Sequence, residues 1–291
     1  MRVFGGGATI DCGTADWTLG APLEAPEGNG VESIALPEDI ANAVAWEFTA
    51  APTVEIVDPT GVGTGATAVA IFDTVEGKVT GIKVLNRGSN YASAQATISR
   101  GGQANKWTVD ASVSPNQSGG LTKKGSGMLT VDNVCTYTGA TCVAGGTLKI
   151  DVDGAVDASS CVVLSGGTLD AGFKSFNVPI SGGAGAVIGT ESVNMAADMV
   201  FDARQMLAGS PISVDGVVNI PDGATVSVRN FDAVGQTSKR KFKIIAATGG
   251  IAGNIPSIDV ELAKDGWSIV VSPDRKEMFV YKPKGLKIIF R

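Results

Sequence analysis

The chain has 291 residues, including 39 Gly, and is 44% hydrophobic but only 6% aromatic, which indicates a β-rich globular protein of one large or two ordinary domains. Its formal net charge of -6 argues against binding to nucleic acids or anionic membranes, because both need a basic protein surface. His is absent, which excludes Ser-His-Asp and Cys-His catalytic sites and His-ligated zinc or haem.

Residues 1–30 contain no apolar run of the kind that a signal peptide requires. We therefore expect either a mature or truncated product or an interior piece of a longer gene. No apolar stretch reaches about 18 residues, so the sequence predicts no membrane-spanning helix and no membrane insertion.

A tetrad of the form Gly-(Ala/Gly)-Thr-aliphatic occurs four times in the sequence. Its copies are Gly7–Ile10, Gly145–Leu148, Gly166–Leu169 and Gly223–Val226. Starts 21 and 57 residues apart are close to one and three turns of a β-solenoid, with Gly at the corner and Thr-aliphatic opening a strand. We predict that residues 1–30 form the first turn of a parallel stack and that residues 113–238 form the others.

Residues 31–112 have a different pattern, in which apolar residues recur with period two. The predicted strands are Thr53–Val57, Ala66–Phe72, Lys78–Leu85 and Ala94–Ile98, with turns at Asp58–Gly61 and Asn86–Asn90. This pattern indicates a small antiparallel module inserted into the stack. Trp46, Tyr91 and Trp107 lie in or beside the module, where they could form a sugar-stacking platform or pack in its core.

Helical patterns are few, and the C-terminal segment again favours strands. Pro37–Val44 predicts one or two helical turns, and Met195–Met199 and Ala203–Leu207 are weaker helix candidates. In residues 239–291 the predicted strands are Lys241–Ala246, Trp267–Val271, Met278–Tyr281 and Leu286–Phe290. We expect them to form a β cap that shields the end of the stack.

The stretch Gly119–Val131, followed by Thr136–Thr141 and Ala144–Leu148, closely resembles the autotransporter-associated β-strand repeat of bacterial surface proteins. The residues that depart from the repeat are Met128, Cys135 and Cys142. This resemblance implies a right-handed parallel β-helix exported to the cell surface, usually as an adhesin or scaffold.

Four cysteines, Cys12, Cys135, Cys142 and Cys161, include no CxxC pair and predict no metal site. Cys135 and Cys142 flank a Gly-containing turn and could form a local disulfide, or they could be buried free thiols.

The densest acidic cluster is Asp151, Asp153 and Asp157, which we interpret as a solvated turn rather than a calcium or lyase site. Asp11 and Asp170 occupy matching places in the tetrad pattern and are predicted to share one column with Lys149.

Three further segments lack a matching motif. The glycine-rich stretches Gly61–Gly65 and Gly182–Gly185 fit no phosphate-binding motif and are predicted to be turns. The basic residues Lys239–Lys241 with Lys243 suggest a solvated strand entrance.

Together these patterns predict an all-β protein: a right-handed parallel β-helix with an inserted antiparallel β module and a C-terminal β cap. We expect a non-catalytic structural or adhesive protein, extracellular or at the bacterial cell surface, without cofactor, metal or catalytic site. Its expected partners are glycans or copies of itself, which would give an oligomer or filament. The alternatives are a β-helix polysaccharide lyase or glycosidase, and a phage tail or fibre component.

Overall fold

The computed structural model describes residues 1–42, 50–99, 106–235 and 238–284, and it confirms an all-β protein. The chain divides into two compact units. The first comprises Met1–Ala25 and the chain from Ser118 onward, and the second comprises Pro26–Gln117. The module expected at 31–112 lies within the second unit. No helix in the described ranges is both long and apolar enough to cross a bilayer.

The elements are short and follow one another closely. The strands as far as the end of the second unit are β1 (Ala8–Asp11), β2 (Trp17–Leu19), β3 (Asn29–Ile34), β4 (Thr53–Val57), β5 (Thr64–Asp73), β6 (Lys78–Ser89), β7 (Ala94–Ser99) and β8 (Lys106–Pro115). The next strands are β9 (Leu121–Lys124), β10 (Met128–Val131), β11 (Thr141–Val143), β12 (Thr147–Ile150), β13 (Val162–Asp170), β14 (Ile180–Ile188), β15 (Ser192–Asn194) and β16 (Asp198–Asp202). The last are β17 (Ile212–Val214), β18 (Val217–Ile220), β19 (Thr225–Arg229), β20 (Lys241–Ala247), β21 (Gly250–Gly253), β22 (Ser257–Ile258), β23 (Ser268–Val271) and β24 (Glu277–Tyr281). The helices are α1 (Glu38–Ala41), α2 (Ala203–Ala208), α3 (Asp232–Gly235) and α4 (Val260–Lys264).

The second unit is antiparallel, as the period-two pattern predicts. Strands β3, β8, β7 and β4 form one sheet in that order, and β5 pairs with β6 in a long hairpin. Along β7, Ala94, Ala96 and Ile98 are buried and the residues between them are partly exposed. Alternation of this kind puts one face of a strand into the core.

The predicted turn at Asn86–Asn90 is wrong, because β6 continues to Ser89. Asn86 and Arg87 pair with Thr67 and Ala66 of β5. Gly88 has a φ of +67°, and a Cβ there would lie 2.5 Å from the carbonyl oxygen of Thr64. Glycine therefore lets the two strands approach closely at a position where the residue types suggested a reversal.

Two parallel ladders run through the first unit. The first ladder joins β1, β9, β11 and β13 in register, with Ala8 opposite Leu121 and Thr141 opposite both Leu121 and Val162. The second ladder joins β2, β10, β12 and the later half of β13. Strand β14 continues both ladders from β13, with Ile180 opposite Val162.

Further along the chain the strands again pair in parallel. β15, β18 and β21 form one sheet, and β16, β19 and β22 form another. β14, β17 and β20 continue the large sheet until β20 meets β24 in an antiparallel pair, and β23 follows β24. The strands predicted for the C-terminal segment are therefore present as β20, β23 and β24, whereas Leu286–Phe290 lies outside the described residues.

Aliphatic side chains align in columns inside the first unit. Leu129, Leu148 and Leu169 stand opposite one another in the second ladder, and all three are almost fully buried. Burying one such side chain stabilises a fold by about 1.5–3 kcal/mol relative to leaving it in water. The column belongs to one apolar core that runs from Val3 to Val280.

The four tetrads do not occupy equivalent positions. Thr147 pairs with Thr168 in the second ladder, but Ala8 starts a strand of the first ladder, and Thr225 lies in the separate β16–β19–β22 sheet. The tetrad specifies a corner followed by a strand and not a particular sheet. The predicted column of Asp11, Asp170 and Lys149 is therefore wrong in part: Asp170 lies opposite Lys149, whereas Asp11 lies opposite Lys124.

The stretch Gly182–Gly185 is not a turn either, because it lies within β14. A Cβ on Gly182 would come within 1.8 Å of the carbonyl oxygen of Val200, and one on Gly183 within 1.7 Å of that of Leu164. The glycines are needed because neighbouring backbone lies too close for any side chain. In the other predicted turn, Gly61 does close a turn on Asp58, and β5 then begins at Thr64.

Of the predicted helices, Ala203–Leu207 is confirmed as α2. Asp202 caps it by accepting a hydrogen bond from the Arg204 N–H at 2.9 Å, and Gly209 ends it with a φ of +75°. α1 begins directly after Pro37, and the remainder of that prediction, 43–44, lies outside the described residues. Met195–Met199 is not helical, because Met199 belongs to β16, which pairs in parallel with β19.

Candidate functional site

Tyr91 is a core residue of the second unit. It is 3% exposed, and its hydroxyl accepts a hydrogen bond from the Ala66 N–H at 3.3 Å. Its ring fills the space beside two glycines, since a Cβ on Gly63 or Gly88 would lie 2.6 Å from it. Tyr91 therefore presents no ring face to solvent.

The other two predicted aromatic residues do not join Tyr91 in a platform. Trp107 is partly buried and packs against the cluster of Ile40, Val79 and Ile98, which is distinct from the cluster that holds Tyr91. Trp46 lies outside the described residues. Among the described aromatic residues, an exposed ring must be sought elsewhere.

Two carboxylates of the acidic cluster, Asp153 and Asp157, form hydrogen bonds to the loop of residues 171–179. The Asp153 carboxylate accepts from the Ser175 N–H at 2.8 Å, and Asp157 accepts from the backbone and side-chain amides of Asn177 at 3.2 and 2.9 Å. Asp151 instead pairs with Lys149 at 3.4 Å on the surface. Within the described ranges no three or more His, Cys, Asp or Glu side chains are arranged to hold a metal ion.

A cleft forms where the loops that follow the second ladder become shorter. Residues 151–161 connect β12 to β13, residues 171–179 connect β13 to β14, and only residues 189–191 connect β14 to β15. The short connection 189–191 therefore leaves one side of loop 171–179 uncovered, and this side borders a cleft of about 470 Å³. Its polar lining consists of Asp153, Lys174, Ser175, Asn177, Thr190, Glu191 and Ser192.

Phe173 stands at this cleft with its side chain completely exposed, at 102% of the reference area. The turn that presents it is tight: Asp170 accepts from the Gly172 N–H at 3.1 Å, Gly172 has a φ of +52°, and Lys174 N–H donates to the Ala171 carbonyl at 2.9 Å. The turn fixes the backbone on both sides of Phe173 and directs its ring away from the core. We call Phe173 and the polar lining the Phe173 cleft.

Two other clefts lie near the C-terminal strands. One, of about 460 Å³, carries Asp259, Glu261 and Asp265, but Asp259 caps α4 and Glu261 pairs with Lys264 at 2.8 Å. The other, of about 440 Å³, is bordered by Lys239, Arg240 and the largely buried Trp267.

Most of the basic residues at 239–243 interact with aromatic or acidic side chains near the C-terminal strands. Lys241 lies over the Phe279 ring at 3.8 Å, Lys239 over the Phe242 ring at 5.2 Å, and Lys243 pairs with Glu277. These lysines are engaged within the chain.

All four cysteines are free thiols, and no disulfide joins Cys135 to Cys142. Cys135 is buried, its sulfur accepts from the Leu23 N–H at 3.4 Å, and burial raises the pKa of its thiol. Cys142 Sγ instead lies 3.2 Å from Ser165 Oγ, on the neighbouring strand of the first ladder.

No family model matches the chain, and no curated protein or solved structure matches it. The residues and their geometry are therefore the basis for a function.

Proposed function

We propose that this chain is a non-catalytic adhesive protein of the bacterial cell surface or extracellular space, a right-handed parallel β-helix scaffold that binds glycans at the Phe173 cleft. The observation that carries this proposal is a fully exposed aromatic ring beside a polar cleft.

The pairing of strands supports the scaffold. Successive strands of the second ladder are parallel and in register, and Leu129, Leu148 and Leu169 form a buried column along it. Stacked units that bury one continuous core are typical of solenoid proteins, whose long faces serve as binding surfaces. The resemblance of residues 119–148 to the autotransporter-associated repeat supports a place at the cell surface.

The chemistry of the Phe173 cleft supports a carbohydrate ligand. A pyranose has an apolar C–H face that packs on an aromatic ring, and hydroxyl groups that need donors and acceptors at its edge. Phe173 supplies the ring, Asp153 and Glu191 supply acceptors, and Lys174 supplies donors. One carboxylate oxygen of Asp153 accepts from the Ser175 N–H, which leaves its other oxygen to accept from a sugar hydroxyl.

Binding to a panel of soluble oligosaccharides tests the proposal, with the wild type compared with Phe173→Ala and Phe173→Trp. We expect the alanine variant to lose about tenfold or more in affinity, which corresponds to the burial of a Phe side chain, and the tryptophan variant to keep it. Trp17→Ala is the matched control, because Trp17 is also exposed but lies on β2, away from the cleft.

Two results would contradict the proposal. If the wild type and Phe173→Ala bound every sugar with equal affinity, the Phe173 cleft would not be the glycan-binding site. Release of reducing ends or unsaturated products from a polysaccharide would replace adhesion with lyase or glycosidase activity.

A further inference from the structure

Strands β1 and β2 form one edge of the large sheet, which we call the N-terminal edge. The Ala8 N–H donates to the Gly120 carbonyl at 2.8 Å, and the Cys12 N–H donates to the Lys124 carbonyl at 3.1 Å. Alternate residues of a parallel strand bond to opposite sides, so the backbone groups of Thr9 and Asp11 point away from β9. Both residues are exposed, and within the described ranges no strand pairs with β1 on that side.

Gly13, Gly125 and Gly145 lie in the corners that follow β1, β9 and β11. Their surroundings show that the space beyond Gly13 is open to a neighbouring chain. A Cβ on Gly145 would lie 3.2 Å from the backbone of Gly125, and a Cβ on Gly125 would lie 2.4 Å from that of Gly13. A Cβ on Gly13 would meet nothing within 4 Å. Gly6 and Gly20 also meet nothing, and neither has a left-handed φ, so nothing within the described chain requires glycine there.

The N-terminal edge has few of the features that protect exposed strands. Lysine, proline or a bulge usually prevents an edge strand from pairing with another chain. β1 and β2 together contain one charged residue, Asp11, and no Lys or Pro. The side chain of Trp17, the first residue of β2, is 57% exposed.

We propose that the N-terminal edge is a self-association surface, on which β1 of one copy pairs antiparallel with β1 of a second copy. A two-fold contact of this kind uses the same surface on both partners and closes at two copies. Because the backbone groups of Thr9 and Asp11 point outward, antiparallel pairing sets Thr9 opposite Asp11 of the partner, so the two Asp11 residues lie about 7 Å apart along the strands. This inference goes beyond glycan binding and does not depend on it.

Light scattering across a concentration series tests this pairing, using Thr9→Pro and the matched control Thr9→Val. Proline removes the outward N–H of Thr9, which β9 does not use, whereas valine keeps that donor. We expect the wild type and Thr9→Val to have the mass of two copies at high concentration, and Thr9→Pro to remain a monomer with an unchanged circular dichroism spectrum.

Hydrogen exchange of the wild type gives a second measurement, which needs no folded variant. The amides of Thr9 and Asp11, which β9 does not use, should become protected as concentration rises. A wild type that is monomeric at every concentration would overturn the proposal, as would a dimer that survives in Thr9→Pro, exchange at Thr9 and Asp11 that is independent of concentration, or open-ended filaments.

Discussion

The Nζ atom of Lys123 lies 2.8 Å from the carbonyl oxygen of Gly145, in the corner that precedes β12, and the Lys123 side chain is completely buried. The same ammonium group donates to the carbonyl oxygens of Gly125 and Gly127. A lysine ammonium has three N–H donors, so each has an acceptor here. One side chain thus joins two consecutive corners of the first unit.

Replacing Lys123 with Met should destabilise the first unit by about 3–5 kcal/mol, because three carbonyl oxygens lose the buried ammonium group that donates to them. Lys124→Met is the control, since the neighbouring Lys124 is exposed and should change stability by less than about 0.5 kcal/mol. Urea unfolding followed by circular dichroism measures both. Equal midpoints for the two variants would contradict the role given to Lys123.

Gly182→Ala should destabilise the protein by about 2 kcal/mol or more. The added Cβ would lie 1.8 Å from the carbonyl oxygen of Val200, so backbone would have to move. Gly20→Ala is the control, because its Cβ would meet nothing within 4 Å and its φ is not left-handed. Thermal unfolding of the two variants at low concentration should separate them clearly, and similar midpoints would argue against close packing at β14.

Tyr137 should make stability depend on pH in the alkaline range. Burial raises the pKa of Tyr137 well above its ordinary value, and its hydroxyl lies 2.6 Å from Thr141 Oγ1. The unfolded chain loses this proton near pH 10, before the folded protein does, so the stability contributed by Tyr137 falls as pH rises above about 10.

The comparison with Tyr137→Phe isolates this effect from the other titrating groups. We expect the variant to be less stable by about 1 kcal/mol at neutral pH, and its stability to decline less steeply above pH 10. Unfolding free energies of the wild type and the variant, measured across the alkaline range, test this expectation. Parallel curves for wild type and variant would show that Tyr137 is not the cause.

Asp153→Ala should loosen loop 171–179, because the Ser175 N–H loses its acceptor. Hydrogen exchange in residues 171–177 should become faster, and affinity for a glycan that contacts Phe173 should fall. Asp151→Ala is the control from the same acidic cluster: its partner Lys149 is on the surface, where such pairs contribute little. If both variants leave exchange in the loop unchanged, Asp153 does not hold it.

Local patterns predicted the strands well, as β4 and β7 show. Their alternation reflects one inward face, buried in β7 and partly buried in β4, which a sequence records directly. The same reasoning gave a wrong prediction for Gly182–Gly185, since glycine permits a turn and also permits close approach of two strands. Which of the two applies depends on the neighbouring strand, and no local pattern reports that neighbour.

The candidate site was harder to predict than the fold. Trp46, Tyr91 and Trp107 drew attention because they cluster in sequence near one module, but Tyr91 is needed in the core. Phe173 depends on a change in loop length between successive strands, which can be measured only once the pairing of β13 and β14 is known. The sequence signal available was an aromatic residue between an Asp-Ala-Gly turn and a polar Lys-Ser pair.

The long interval between β1 and β9 also bears on the order of folding. β9, β11, β13 and β14 pair with strands about 20 residues away, whereas Ala8 must find Leu121. Contacts between distant residues form slowly, because a long chain segment must first be closed into a loop. During synthesis β1 emerges well before its partner, and the second unit can fold in the interval. Although β1 is made before its partner β9, it is thus expected to be among the last strands to join the sheet.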